Sequence, residues 1–156
     1  MDDQSRDNPG VIAFPPLLFA STLAAGLLLH WLMPKHPFPA APARVAGGIL
    51  LVVSVLVAGW GRNTMRRAGT NVNPSQPALA LVTGGPFRFS RNPLYLSITG
   101  FYLGVTLLAD ALCPLVLLVP LLVVAHYGIV LREERYLEAK FGESYRSYRA
   151  KVRRWV

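Results

Sequence analysis

Apolar positions fall along this chain in long blocks, not at the spacing of three or four that marks the buried face of a soluble helix. Val11–Met33 contains no Asp, Glu, Lys or Arg, and its length suits a helix crossing a bilayer, about 20 residues. Pro15 and Pro16 stand near its start, where proline disturbs a helix least. Pro34, Pro37, Pro39 and Pro42 predict a turn. Residues 43–61, with the apolar block Val45–Trp60, form a second span, short for a bilayer but extended by the snorkelling stem of Arg44. Leu94–Leu131 carries a single charge, Asp110. Its length predicts two spans, 94–109 and 111–131, joined by a tight turn near Ala109–Pro114, with a kink at Pro120. The polar connection Gly61–Pro93 carries Arg62, Arg66, Arg67, Arg88 and Arg91 and no acid.

These elements predict one all-α domain over residues 1–156: a polytopic membrane helix bundle of about four transmembrane helices. A flexible N-terminus, residues 1–10, precedes the bundle, and a helical tail, residues 132–156, follows it. In the tail Leu137, Phe141, Tyr145, Tyr148, Val152 and Trp155 recur at steps of three or four, the mark of one helix face. Lys140, Arg146, Arg149 and Lys151 occupy the other face. Such an amphipathic helix either lies along the membrane surface or folds over the mouth of the bundle, and Gly142 is placed to break it in two.

Composition sharpens this picture. The chain is 53% hydrophobic and 15% charged, against about 25% charged in an ordinary soluble protein. Its net charge of +8 fits nucleic-acid binding in principle. The basic residues flank apolar blocks, however, which suits anionic headgroups and topology control. No nucleic acid is expected as a partner. Cys113 is the sole cysteine, which excludes an internal disulfide, and no Cys/His cluster has metal-ligand spacing, so no metal is expected. The first block is too long for a signal-peptide core and reads as a retained helix. The loop before Leu94 and the tail after Leu131 hold most of the Lys and Arg, which puts those segments and both termini in the cytoplasm. The Pro34–Pro42 turn and Asp110 then face outward, against the weak counter-signal of Lys35 and Arg44.

Three stretches on the cytoplasmic side carry candidate chemistry. In Gly84-Gly85-Pro86-Phe87-Arg88 two glycines let backbone approach a ligand, or simply make a turn into a helix. In Arg91-Asn92-Pro93-Leu94-Tyr95, Asn92 suits a helix cap and Pro93 the first helical turn. The free N–H groups there favour an anion, and Arg91 can grip a carboxylate with both arms. The plainer reading is a topogenic arginine before a helix start. In Arg132-Glu133-Glu134-Arg135 adjacent carboxylates stand at the membrane boundary. Helix geometry turns them in different directions, so at most one is expected to face inward. His30 and His126 lie within spans, as functional groups or as neutral packing residues.

The order of GPFR, RNPLY, a two-span hydrophobic hairpin, EE and FGESYRSY resembles the isoprenylcysteine carboxyl methyltransferase and phospholipid methyltransferase superfamily. Gly69-Thr70 followed by Pro74 matches a pattern seen ahead of GPFR in bacterial members. The resemblance covers roughly Gly69–Trp155. It implies a multi-pass membrane enzyme that takes S-adenosylmethionine between the last two spans and the tail, on the cytoplasmic side, and releases S-adenosylhomocysteine. By that resemblance Val82, Thr83, Gly84, Gly85, Arg91, Asn92, Leu94, Tyr95, Glu133 and Glu134 hold the cofactor. The family often has His where Asn92 stands, and Asn cannot shuttle a proton. The implied partners are membrane lipids and a lipid or lipid-like acceptor, of the phospholipid amine or isoprenylcysteine carboxylate type. Arg91 or Arg132 would orient a carboxylate acceptor, and Glu133, Glu134 or His126 would assist an amine; Arg91, Glu134 and His126 are the catalytic candidates. Two other readings compete: a non-enzymatic subunit that binds anionic lipid or a partner protein through its basic face, and a reductase related to sterol reductases.

Overall fold

A computed structural model of the protein describes residues 7–38 and 40–155. The expectations placed on residues 1–6, Pro39 and Val156 lie outside the described residues. Among those described, regular structure is entirely helical: α1 Pro15–Leu32, α2 Ala40–Arg67, a 3₁₀ turn Gly85–Arg88, α3 Pro93–Leu108, α4 Leu112–Ala125 and α5 Leu131–Lys151. A π-helical turn, His126–Val130, joins α4 to α5, so a single rod passes through Pro120 and runs from Leu112 to the break at Gly142.

α1, α2 and the α4–α5 rod are long and apolar enough to cross a membrane, and α3 is a shorter apolar helix. Leu17, Trp31, Val52, Leu56 and Val119 lie on the exterior, each more than 60% exposed. Water does not tolerate so continuous an apolar surface, and hydrocarbon does. The fold is a helical membrane bundle.

In hydrocarbon, apolar burial gives helices little reason to associate, so close backbone contact must hold them. α2 presents Gly47, Ser54 and Gly61, seven residues apart, to Leu94, Gly100 and Gly104 of α3. A Cβ on Gly104 would lie 2.9 Å from the Gly47 carbonyl oxygen, and one on Gly47 would lie 2.8 Å from the Gly104 oxygen. α1 packs against α4, where a Cβ on Gly26 would lie 2.7 Å from the Pro114 Cα. Tyr102 of α3 joins the pairs: its ring meets Phe19 edge-on, and its hydroxyl donates to the Pro114 carbonyl at 2.9 Å.

α2 runs six residues beyond the expected span end at Gly61. Arg66 and Arg67 in its last turn suit the negative end of the helix dipole. Gly69, at φ 72°, then closes it: its N–H donates to the Arg66 carbonyl and that of Thr70 to the Met65 carbonyl. α3 ends in the same way on Asp110, at φ 47°. The Asp110 carboxylate also accepts from the Phe38 N–H at 3.0 Å and lies 3.2 Å from His36 Nδ1, tying the two turns at that end of the bundle.

Gly142 breaks α5 at φ 51°, ψ −122°. Added side-chain atoms would meet open space there, so the cost of a Cβ is conformational alone. Gly142→Ala is expected to destabilise the kink by about 1–3 kcal/mol. Limited proteolysis should then cut the tail faster while the bundle core stays protected.

Candidate functional site

The polar connection, the first turns of α3 and the rod beyond Leu131 meet at one end of the bundle. Each is anchored locally. The Thr70 hydroxyl accepts from the Leu79 N–H at 2.9 Å, and Asn71 donates to the Pro77 carbonyl at 2.9 Å, which folds residues 70–82 into a compact wall. Gly85, at φ 57°, lets the 3₁₀ turn settle on α2, where a Cβ would lie 2.5 Å from the Thr64 hydroxyl. Tyr148 of the tail donates to the Phe87 carbonyl at 2.6 Å.

Beyond the kink the chain returns over this end. After Lys151 it becomes extended, and the carbonyl of Arg153 accepts from the Arg91 N–H at 3.0 Å. The Arg154 carbonyl accepts from Ser90 Oγ and from Asn92 Nδ2, both at 3.1 Å. Asn92 therefore does not cap α3 with its side chain, as its position predicts, but clamps the tail. Tyr145 and Tyr148 are buried, so of the two tail geometries the sequence allowed, the fold-over arrangement is the one present.

A cavity of about 540 Å³ lies beneath. Glu134 on its wall is 10% exposed; its carboxylate takes Arg154 Nε and Nη2 at 3.0 and 2.9 Å and lies 3.3 Å from Arg91 Nη1. Arg91 also reaches the Tyr145 hydroxyl at 3.4 Å, while its Nε is buried without an acceptor. Glu133 faces the same cavity and accepts from the Tyr95 hydroxyl at 2.7 Å. The sequence expectation of at most one inward carboxylate is thus corrected. Neighbours on a helix differ by about 100°, and a concave wall curved around α5 receives both: Glu133 towards α3, Glu134 towards the tail.

Val82, Arg91, Asn92, Leu94, Tyr95, Glu133 and Glu134 all line the cavity. Thr83, Gly84 and Gly85 do not border it. His126 also lies off the cavity, in the π turn, with its ring 5.0 Å from that of Tyr127 and 6.1 Å from that of Trp155. Arg132 points outward and donates to the Gly10 carbonyl at 2.8 Å. Sequence reasoning missed Arg154, because the tail periodicity carried through to Trp155 and hid the helix end at Lys151. The Arg153-Arg154 pair after the β-branched Val152 was the available signal. It also missed Tyr136, whose hydroxyl accepts from the Ala78 N–H at 3.1 Å and donates to Asp7 at 2.7 Å. Part of the N-terminus expected to be flexible is thus held against the site wall.

The other half of the cavity is apolar. Phe14 and Pro15, Val55 and Ala58 of α2, and Ile98 and Phe101 of α3 line it. The architecture is that of a membrane protein whose one cavity wall is polar and charged and whose other wall belongs to the apolar bundle. The phospholipid methyltransferase family profile matches residues 42–144, which includes most of these walls, and the chain belongs to that family. An uncharacterized protein of Haemophilus influenzae is 45% identical over 64 residues, 40% of this chain and 100% of that protein.

Proposed function

We propose that the protein crosses the membrane several times and transfers a methyl group from S-adenosylmethionine to a lipid or lipid-like acceptor, at a site on the cytoplasmic side. The two-sided cavity carries this reading. A polar cofactor fits the charged wall, an acyl or prenyl chain fits the apolar one, and both reach a shared space. Its volume lies within the roughly 300–1,000 Å³ of small-molecule sites.

The residues fit the cofactor. Glu133 has no cationic partner among the described residues, which suits an ammonium group. The buried Arg91 Nε lacks an acceptor, which suits a carboxylate or ribose oxygen. Arg91, Asn92, Leu94, Tyr95 and Glu133, with Val82 from the wall, would hold the group, and Glu134 would fix Arg91 in place. The bound cofactor supplies a methyl already activated on a sulfonium and leaves as S-adenosylhomocysteine. The chain's own work is alignment and exclusion of water, effects that together reach about 7–11 kcal/mol in favourable sites.

Glu133 lies beyond the apolar stretch that ends at Leu131. Burial pushes its carboxyl up to about 7, the Tyr95 hydrogen bond opposes this, and the charge of Glu134 adds to it. Below that pH the carboxyl is mainly protonated; above it, ionised and able to pair with the cofactor's ammonium group. Binding of S-adenosylmethionine is expected to strengthen as pH increases through about 7. Glu133→Gln should remove that rise, and an unchanged profile in the variant would assign it to another group.

Calorimetric titration of the protein in lipid nanodiscs with S-adenosylmethionine tests the proposal, followed by incubation with methyl-labelled cofactor and membrane lipid extract. Saturable binding and label in a lipid product are expected. Failure to bind the cofactor, with salt-sensitive binding of anionic vesicles instead, would leave a non-enzymatic membrane subunit.

A further inference from the structure

The charged side chains that border the cavity are Arg62, Arg91, Glu133 and Glu134. Arg91 is committed to Glu134, which Arg154 also holds. Arg62 makes no ion pair with any described residue. It continues the stripe Ser54, Val55, Ala58 along α2, all facing the cavity. Ala58 lies one helical turn away and Val55 two, about 6 and 10 Å along the axis. A chain lying in the apolar half against Val55 and Ala58 therefore has its head at the level of Arg62.

We infer that Arg62 is a specificity-determining residue that grips an anionic group, a phosphate or phosphodiester, on the methyl acceptor. The inference rests on the reading of this cavity as a methyltransferase site. Arg62 replaces Arg91 and Arg132 as the cation that orients the acceptor: the first is neutralised by Glu134 and the second points outward. A guanidinium presents a fork of donors to phosphate oxygens. An acceptor of equal length that lacks the anion forgoes those bonds and binds more weakly.

The test measures binding of dodecyl phosphate to the full-length protein in nanodiscs of neutral lipid, with and without S-adenosylhomocysteine, for the wild type, Arg62→Gln and Arg62→Lys. Arg62→Gln should weaken dodecyl phosphate binding about tenfold or more, and Arg62→Lys should recover part of the loss. Affinity for S-adenosylhomocysteine should be the same in all three. Equal dodecyl phosphate binding by wild type and Arg62→Gln, or none by the wild type, overturns the inference. So does a loss of S-adenosylhomocysteine affinity in Arg62→Gln, which would place the cofactor carboxylate on Arg62. If dodecyl phosphate binding depends on Arg62 while the wild type binds no S-adenosylhomocysteine, the anion site stands and the methyltransferase reading falls.

Discussion

Glu134→Ala is expected to weaken S-adenosylmethionine binding about a hundredfold and to lower stability by about 3–5 kcal/mol. Among the described residues Glu134 is the one carboxylate that holds together α5, the turn before α3 and the returning tail. Its removal leaves Arg91, only 9% exposed, as a charge without a carboxylate partner. Most of the loss comes from that stranded charge and little from Arg154, which at 35% exposure is partly solvated and screened. Glu134→Gln keeps the shape and some hydrogen bonding and should fall between. Calorimetry with the cofactor and thermal unfolding in nanodiscs read the two effects separately. Wild-type affinity in Glu134→Ala would show that the cofactor does not depend on this cluster.

Gly104→Val should disrupt the bundle itself. A Cβ there lies 2.9 Å from the Gly47 carbonyl oxygen and 2.9 Å from Leu51 Cγ. The first neighbour is backbone and cannot swing aside, so α2 and α3 must separate along their shared seam. Overpacking of this kind costs about 1–3 kcal/mol and at times more, and a backbone contact belongs at the upper end. Gly59→Val is the control: it sits on α2, the partner helix of this seam, with no atom near its would-be Cβ, and its melting temperature should stay close to wild type. Similar losses in both variants would mean that the seam is not what holds these helices.

The helices were legible because bilayer-length apolar runs are a strong signal, and Gly142 announced its break because few residues other than glycine take that backbone conformation. The paired motifs were legible as a set: Arg91, Tyr95, Glu133 and Glu134 do border one cavity. The partners within that set were not. Sequence read Arg91 as a grip for a ligand and Asn92 as a cap, whereas Glu134 takes the first and the carbonyl of Arg154 the second. Those contacts join positions about 40 to 60 residues apart, and no local periodicity encodes them. The bounds of α2 were missed for the opposite reason: Arg62–Arg67 look polar and loop-like in a hydropathy reading, yet arginine is a good helix former and favours that helix end.

The widened turn at His126–Val130 sets the phase of everything that follows it on the rod. Each residue advances a helix by about 100°, so dropping one from Leu112–Ala125 while the wide turn is kept would rotate both glutamates off the cavity wall with their side chains still present. Across related chains, spelling in this stretch should drift on the lipid-facing side, as at Val116, Val119 and Val123, while its count of residues holds fixed.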